Sequence, residues 1–271
     1  MKAYLQKLCG SAKTPLIAQH HVREYLQARI LQSLQCSGAM QSIAFHGGTA
    51  LRFLYEIPRY SEDLDFTLER VVSVYDFRKY LHQIEQDFVA EAYALDFKVS
   101  DKQIVHKAFV RFRGLLCELG LSVHKSEVLA VKLEIATKPP SGAVLAATPM
   151  KRYVALNLQH HDRATLFAGK LHAVLQRVYP KGRDIYDLWW YLSQPSWPEP
   201  NLVLLNHALL QSGWKDGKLT PENWRGYVRG KIEQLDWQED VLREVRAFLI
   251  IPEWEKRVNK DKLLELLAWH I

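Results

Sequence analysis

Two aspartates stand two residues apart in the run Arg59-Tyr60-Ser61-Glu62-Asp63-Leu64-Asp65-Phe66. On a strand, that spacing puts both carboxylates on one face and Leu64 and Phe66 on the other. Two carboxylates so close repel each other, and a hard cation such as Mg²⁺, or Mn²⁺ in its place, offsets the repulsion and takes oxygen ligands. The oxygens of a nucleoside triphosphate would complete its shell. Upstream lies Phe45-His46-Gly47-Gly48-Thr49-Ala50-Leu51-Arg52. Two glycines between a strand and a helix allow close backbone approach to a ligand, and a helix opening at Thr49 turns unpaired N–H groups and a positive dipole end toward phosphate. A third carboxylate comes from Val131-Lys132-Leu133-Glu134-Ile135, where Lys132 and Glu134 share the face opposite the apolar residues. Glu134 is placed to join the metal and Lys132 to meet phosphate or the aspartates. Taken singly, a glycine pair is an ordinary turn, Asp-x-Asp an ordinary surface, and a Lys/Glu alternation the wet face of a sheet. In this order they point to metal-assisted chemistry on phosphate.

The surrounding text supplies the elements that must hold these groups. Thr14-Pro15 predicts a helix start, and the apolar spacing carries that helix to Gly38. Ile43–Phe45 reads as a strand, Thr49–Leu54 as a helix and Leu64–Leu68 as a second strand. Ser73-Val74-Tyr75-Asp76 resembles a capping box leading a helix to about Ala92. Between Leu95 and Ile135 the apolar residues alternate as in antiparallel strands, and Arg111 and Arg113 give one of them a basic face. Lys138–Gly142 is a loop. After about His161 the pattern is helical: Arg163–Tyr179, Asp184–Leu192, Leu202–Leu210, Pro221–Leu235, Asp240–Leu249 and Lys260–Trp269. The order predicts an α+β fold, with a catalytic α/β domain over residues 1–155 and a helical domain over 156–271.

The 271 residues suffice for one large or two modest cores. No apolar run reaches the roughly 18–20 residues that span a bilayer, and the first seven residues lack the apolar core of a signal peptide, so the sequence reads as cytoplasmic with no membrane partner. Three scattered cysteines and eleven histidines offer no zinc spacing, no H-E-x-x-H and no disulfide framework. His46 is singled out only by its place beside the glycines. The eight tryptophans crowd the second half, where helical core is a better use for them than stacking platforms. A net charge of +6 favours a polyanionic partner.

Gly47–Arg52 and Arg59–Phe66 together resemble the first motif of the AbiEii/MenT-type nucleotidyltransferase toxins, members of the DNA polymerase β-like nucleotidyltransferase superfamily. Lys132-Leu133-Glu134-Ile135 resembles a later strand motif of that family, Gly169-Lys170-Leu171-His172-Ala173 its Lys-Leu helix, and Arg183-Asp184-Ile185-Tyr186-Asp187-Leu188 its Arg-Asp-x-x-Asp-Leu motif. Gly169 stands where family members often carry an acidic residue. The resemblance implies a mixed sheet with helices followed by a helical domain. It implies transfer of a nucleoside monophosphate from an NTP, with release of pyrophosphate, and a toxin–antitoxin setting with a cognate antitoxin. Gly47, Gly48 and Ser61 would contact the triphosphate, Asp63 and Asp65 would bind Mg²⁺, Lys170 would meet the phosphates, and Asp187 would orient groups or act as a base. Without the resemblance, Arg183 and Asp184 read as helix-end charges and Lys170 as an ordinary surface lysine. Lys170 and Asp187 are expected to complete the site, flanked by Arg111, Arg113, Arg177, Lys181 and Arg183 for a polyanionic acceptor. With the basic charge, the resemblance favours RNA, such as a tRNA 3′ end. A protein or small-molecule acceptor, or a nucleotide-binding regulator with little catalysis, are the other readings.

Overall fold

A computed structural model describes residues 2–69 and 72–268. The chain forms two compact units. One comprises residues up to 54, 60–139 and 147–160; the other comprises residues 55–59, 140–146 and those from 161 onward.

The first unit is built on a mixed sheet of β1 (Ile43–His46), β2 (Leu64–Leu68), β3 (Leu95–Ser100), β4 (Val105–Arg113), β5 (Val128–Ala136), β6 (Leu145–Arg152) and β7 (Val154–His161), in the order β3-β4-β5-β2-β1-β7-β6. Antiparallel β3–β4–β5 joins β2 through a parallel pairing in which Asp65 lies opposite Glu134. One face is apolar: Leu64, Phe66, Ala108, Val110, Phe112, Leu129, Val131, Leu133 and Ile135 are buried. Helices α1 (Lys2–Gly10), α2 (Pro15–Cys36), α3 (Gly47–Tyr55) and α4 (Phe77–Val89) accompany it, and α2 packs on β5 and α4 while α4 packs on β3.

Several local expectations shift. Helix α3 begins at Gly47, two residues before the predicted start at Thr49, so both glycines are helical. The cap of α4 is Asp76, whose side chain accepts from the Lys79 N–H, and Ser73 lies in a single 3₁₀ turn. Strands β6 and β7 occupy a stretch left without strands in the sequence reading. Exposed residues alternate with half-buried ones in β6 and with more buried ones in β7, but alanine, proline, asparagine and glutamine dilute the apolar signal.

The second unit is helical: α6 (Arg163–Gln176), α7 (Gly182–Leu192), α8 (Leu202–Gln211), α9 (Trp224–Glu233), the one-turn α10 (Arg243–Val245) and α11 (Lys260–Ala268); a four-residue α5 (Leu115–Glu118) lies in the first unit. Helix α6 ends three residues before the predicted Tyr179. Arg177 is already extended, and Val178 and Tyr179 are exposed. The Asp240–Leu249 helix is replaced by a π turn over Trp237–Leu242, α10 and a 3₁₀ turn. Trp269, the predicted end of the last helix, is outside the described residues. Trp189, Trp190 and Trp224 are buried in core positions, and Phe167 stacks on Tyr191 at 4.7 Å between ring centroids. No helix among the described residues is long and apolar enough to cross a membrane.

Candidate active site

In the first unit, β1 delivers His46 directly opposite Asp65 of β2, and the chain turns at once into α3. Gly47 makes this turn with φ of +76°, in the left-handed region. A methyl group there would strike the Asp65 carboxylate and lie 3.1 Å from Asp65 Cβ. Position 47 therefore needs glycine for two reasons, conformation and space. The loop that carries Asp63 is fastened on both sides. Gln27 of α2, 1% exposed, donates through Nε2 to the carbonyls of Ser61 (3.0 Å) and Glu62 (2.9 Å). Thr49 donates its hydroxyl to the Asp63 carbonyl. Thr49, expected at the nucleotide through the helix start, is fully buried, and its side chain secures the aspartate loop. Helix α3 is itself tied to α2 by Glu24, which accepts from Arg52 at 2.6 Å and from Arg152 at 2.9 Å.

Beside the aspartates, Glu134 takes a short bond from Lys132 (2.6 Å) and an ion pair from Lys107 (3.1 Å). Partial burial pushes the Glu134 pKa up, but the bonds and charges of the two lysines outweigh it and hold the carboxyl below its ordinary value. Partial burial works against charge on Lys132, yet Glu134, Asp63 and Asp65 together raise its pKa. The three carboxylates were expected to converge on metal. Glu134 is engaged by lysines, and no group of three or more His, Cys, Asp or Glu that could hold an ion is found among the described residues.

The second unit gathers Lys170 and Asp187 around a buried charge network. Lys170 Nζ lies 2.7 Å from Asp184 and 2.8 Å from Asp187. Asp187, with no exposed side-chain surface, also accepts a two-pronged pair from Arg59 Nε and Nη2, each at 2.6 Å. Arg177 closes the chain by pairing with Asp184. Burial disfavours the Lys170 ammonium, but the two aspartates outweigh that and raise its pKa. Gly182 admits α7 at the start of this network, since a side chain there would collide with the Val241 carbonyl.

The family model described as the nucleotidyl transferase AbiEii toxin of type IV toxin–antitoxin systems matches residues 29–260. The chain belongs to the AbiEii nucleotidyltransferase toxin family. Two crystal structures from Helicobacter pylori are similar to this AbiEii-family protein, each at 18% identity over 92% of its chain. One is of a candidate nucleotidyltransferase, of which 92% is covered (TM-score 0.55). The other is of JHP933, of which 89% is covered (TM-score 0.54). They share its fold. No curated protein sequence matches it.

For this AbiEii-family nucleotidyltransferase, the sequence reading missed two supporting residues. Arg59 lies within the first motif, where its residue type alone assigns it no role. Its signal was an arginine followed immediately by the tightly spaced motif, and its partner, Asp187, is 128 residues away. Gln27 carries no signal of its own: it is one of several polar residues buried along α2, with His20, Glu24 and Ser33. The basic residues assigned to the acceptor are unequally available. Arg111 and Arg113 both pair with Asp96, and Arg183 pairs with Glu244 at 3.0 Å and lies over the Phe248 ring at 4.1 Å. Lys181 is exposed.

Proposed function

We propose that this nucleotidyltransferase transfers a nucleoside monophosphate from a magnesium-bound NTP to the end of an RNA acceptor, a tRNA 3′ end being the narrower form of the reading. The observation that carries it is the pressing of Gly47 against Asp65 beside the Asp63 loop. The Asp65 carboxylate lies against the first residue of helix α3, and the Asp63 backbone is tied to Thr49 in that helix's first turn; a helix start is a place suited to hold a metal triphosphate. Two protein carboxylates suit Mg²⁺, which commonly binds through one or two carboxylates plus substrate phosphates and water. Asp63 and Asp65 would hold it. The ion, when bound, supplies charge neutralisation at the phosphates. Gly47, Gly48 and Ser61 would contact the triphosphate, and Lys132, oriented by Glu134, would neutralise it. Glu134 is thus assigned to positioning.

In the reaction an acceptor hydroxyl attacks the α-phosphorus. A new P–O bond forms, the bond from the α-phosphorus to the bridging oxygen breaks, pyrophosphate leaves with that oxygen, and the hydroxyl proton passes to solvent water. Such chemistry asks the protein for positioning and cations more than for covalent catalysis. Lys170 is assigned to the phosphates, and Asp187, sealed from solvent, to holding Lys170 and Arg59 in place. The family also implies a cognate antitoxin as partner.

The test is incubation of purified protein with each α-labelled NTP, Mg²⁺ and total RNA. Label that is lost to ribonuclease and survives protease supports the reading. Label lost to protease moves the acceptor to a protein.

A further inference from the structure

The polar face of β3–β4–β5 carries an aromatic where a strand of charged residues is otherwise the rule. Phe109 is 37% exposed in the middle of β4. Register places it opposite Lys98 on β3 and opposite Lys132 on β5. Its neighbours of the same face along β4 are Lys107 and Arg111. Phe109 is therefore ringed by cations on four sides. On these three strands the face holds five cations (Lys98, Lys107, Arg111, Arg113, Lys132) against two carboxylates, Asp96 and Glu134. Each carboxylate is shared by two cations, so each pairing leaves positive charge over.

An exposed phenyl ring within a cationic field suits neither a lipid nor an acidic protein as well as it suits a polyanion that also carries flat rings. Bases stack on aromatics with little regard to sequence while backbone phosphates meet flanking lysines and arginines. The position fits as well. Asp65 lies two strands away and one side-chain step along, so the ring is roughly 12 Å from it by standard sheet spacings. That is the reach of about two nucleotides.

We propose that Phe109 is the stacking platform for a base of a single-stranded RNA acceptor, with Lys98, Lys107 and Arg111 receiving the adjoining phosphates. This rests on the RNA-acceptor reading and adds to it the residue that seats the strand. The test uses the full chain and an eight-nucleotide single-stranded RNA carrying 2-aminopurine near its 3′ end. The wild type should bind it and quench the fluorophore. Phe109→Ala should weaken binding about tenfold and abolish quenching, while the salt dependence keeps its slope. Phe109→Trp should restore both. Lys98→Ala should instead reduce the slope and leave quenching. If wild type neither binds nor labels RNA, the acceptor reading fails and takes this assignment with it. If wild type does both and Phe109→Ala matches it, only the assignment fails. Loss of Mg–NTP affinity in Phe109→Ala, with RNA binding intact, would place the ring under the incoming nucleotide and overturn the proposal.

Discussion

Removing the Asp187 carboxylate should be the most damaging single change in the second unit. Asp187 accepts two bonds from Arg59 at 2.6 Å and one contact from Lys170 at 2.8 Å, with no surface of its own exposed. In Asp187→Ala, Lys170 keeps Asp184 at 2.7 Å, whereas the Arg59 guanidinium, 2% exposed, loses its main counter-charge. Breaking one side of a buried pair costs about 3–5 kcal/mol, and the variant should fall in that range. Arg59→Met should cost less, because Asp187 retains Lys170. The double variant Arg59→Met/Asp187→Leu should be more stable than Asp187→Ala, since apolar groups in place of a buried pair avoid the desolvation penalty. All eight tryptophans fall in this unit by sequence, so urea unfolding followed by tryptophan fluorescence reports it directly. An Asp187→Ala variant within 1 kcal/mol of wild type, or a double variant that merely adds the two losses, would refute the reasoning.

Asp65→Ala should lower transfer by roughly a thousandfold, corresponding to several kcal/mol of lost metal-borne charge stabilisation, with an unchanged or raised melting temperature; single-turnover transfer and a thermal melt check the pair. Gly47→Ala forces a left-handed alanine against Asp65 and should cost at least about 1–2 kcal/mol, read by urea unfolding of the first unit's circular dichroism. The Asp184 pKa is governed first by burial, which raises it, but the charges of Lys170 and Arg177 prevail and set it below 3.8. Its folded value thus lies under its unfolded one, so its contribution is complete above pH 3.8 and is lost as pH falls through the lower value. Between pH 4 and about pH 2 wild type should lose more stability than Asp184→Asn in an acid titration by fluorescence. With three phosphate contacts on the Phe109 face, log affinity for single-stranded RNA should fall with log salt at a slope of about −2, checked by anisotropy titrations at several salt concentrations.

The chemistry was the more legible part of the chain because its residues are close in sequence. Gly47 follows directly on β1 and Asp65 lies on its neighbour β2, so two short runs suffice to bring them together, and the Leu64–Leu68 strand matches residue for residue. What sequence could not disclose is pairing across distance. Glu24 with Arg152, and Arg59 with Asp187, each span 128 residues, and no local period marks one end for the other. Caps failed where two candidates competed: Ser73 and Asp76 both suit a helix start, and the later one lies next to the first apolar turn. Thr49 shows the same limit at the site. Its place at the expected helix start pointed to phosphate, and only the fold reveals that its hydroxyl is spent on the Asp63 carbonyl.

The basic charge also changes meaning once the pairs are known. Glu24, Asp96, Glu134, Asp184 and Asp187 are each held by two cations. Glu24, Asp96 and Glu134 each leave one positive charge uncancelled, and Asp184 and Asp187, which share Lys170, leave one between them, so a protein that builds its polar contacts this way becomes basic without needing a polyanion. Much of the +6 is therefore a by-product of architecture. Arg59 and Lys170 both pair with Asp187, and both have little side-chain surface in solvent. The exposed pairings differ, because Arg111, Arg113 and Lys107 keep a third or more of their side chains in water while they share a carboxylate. A phosphate arriving there does not have to break a buried pair: it meets charge already left over, on a face where Phe109 supplies the apolar surface that a base requires. For the proposed RNA acceptor, the place where excess charge is exposed therefore matters more than the total charge of the chain.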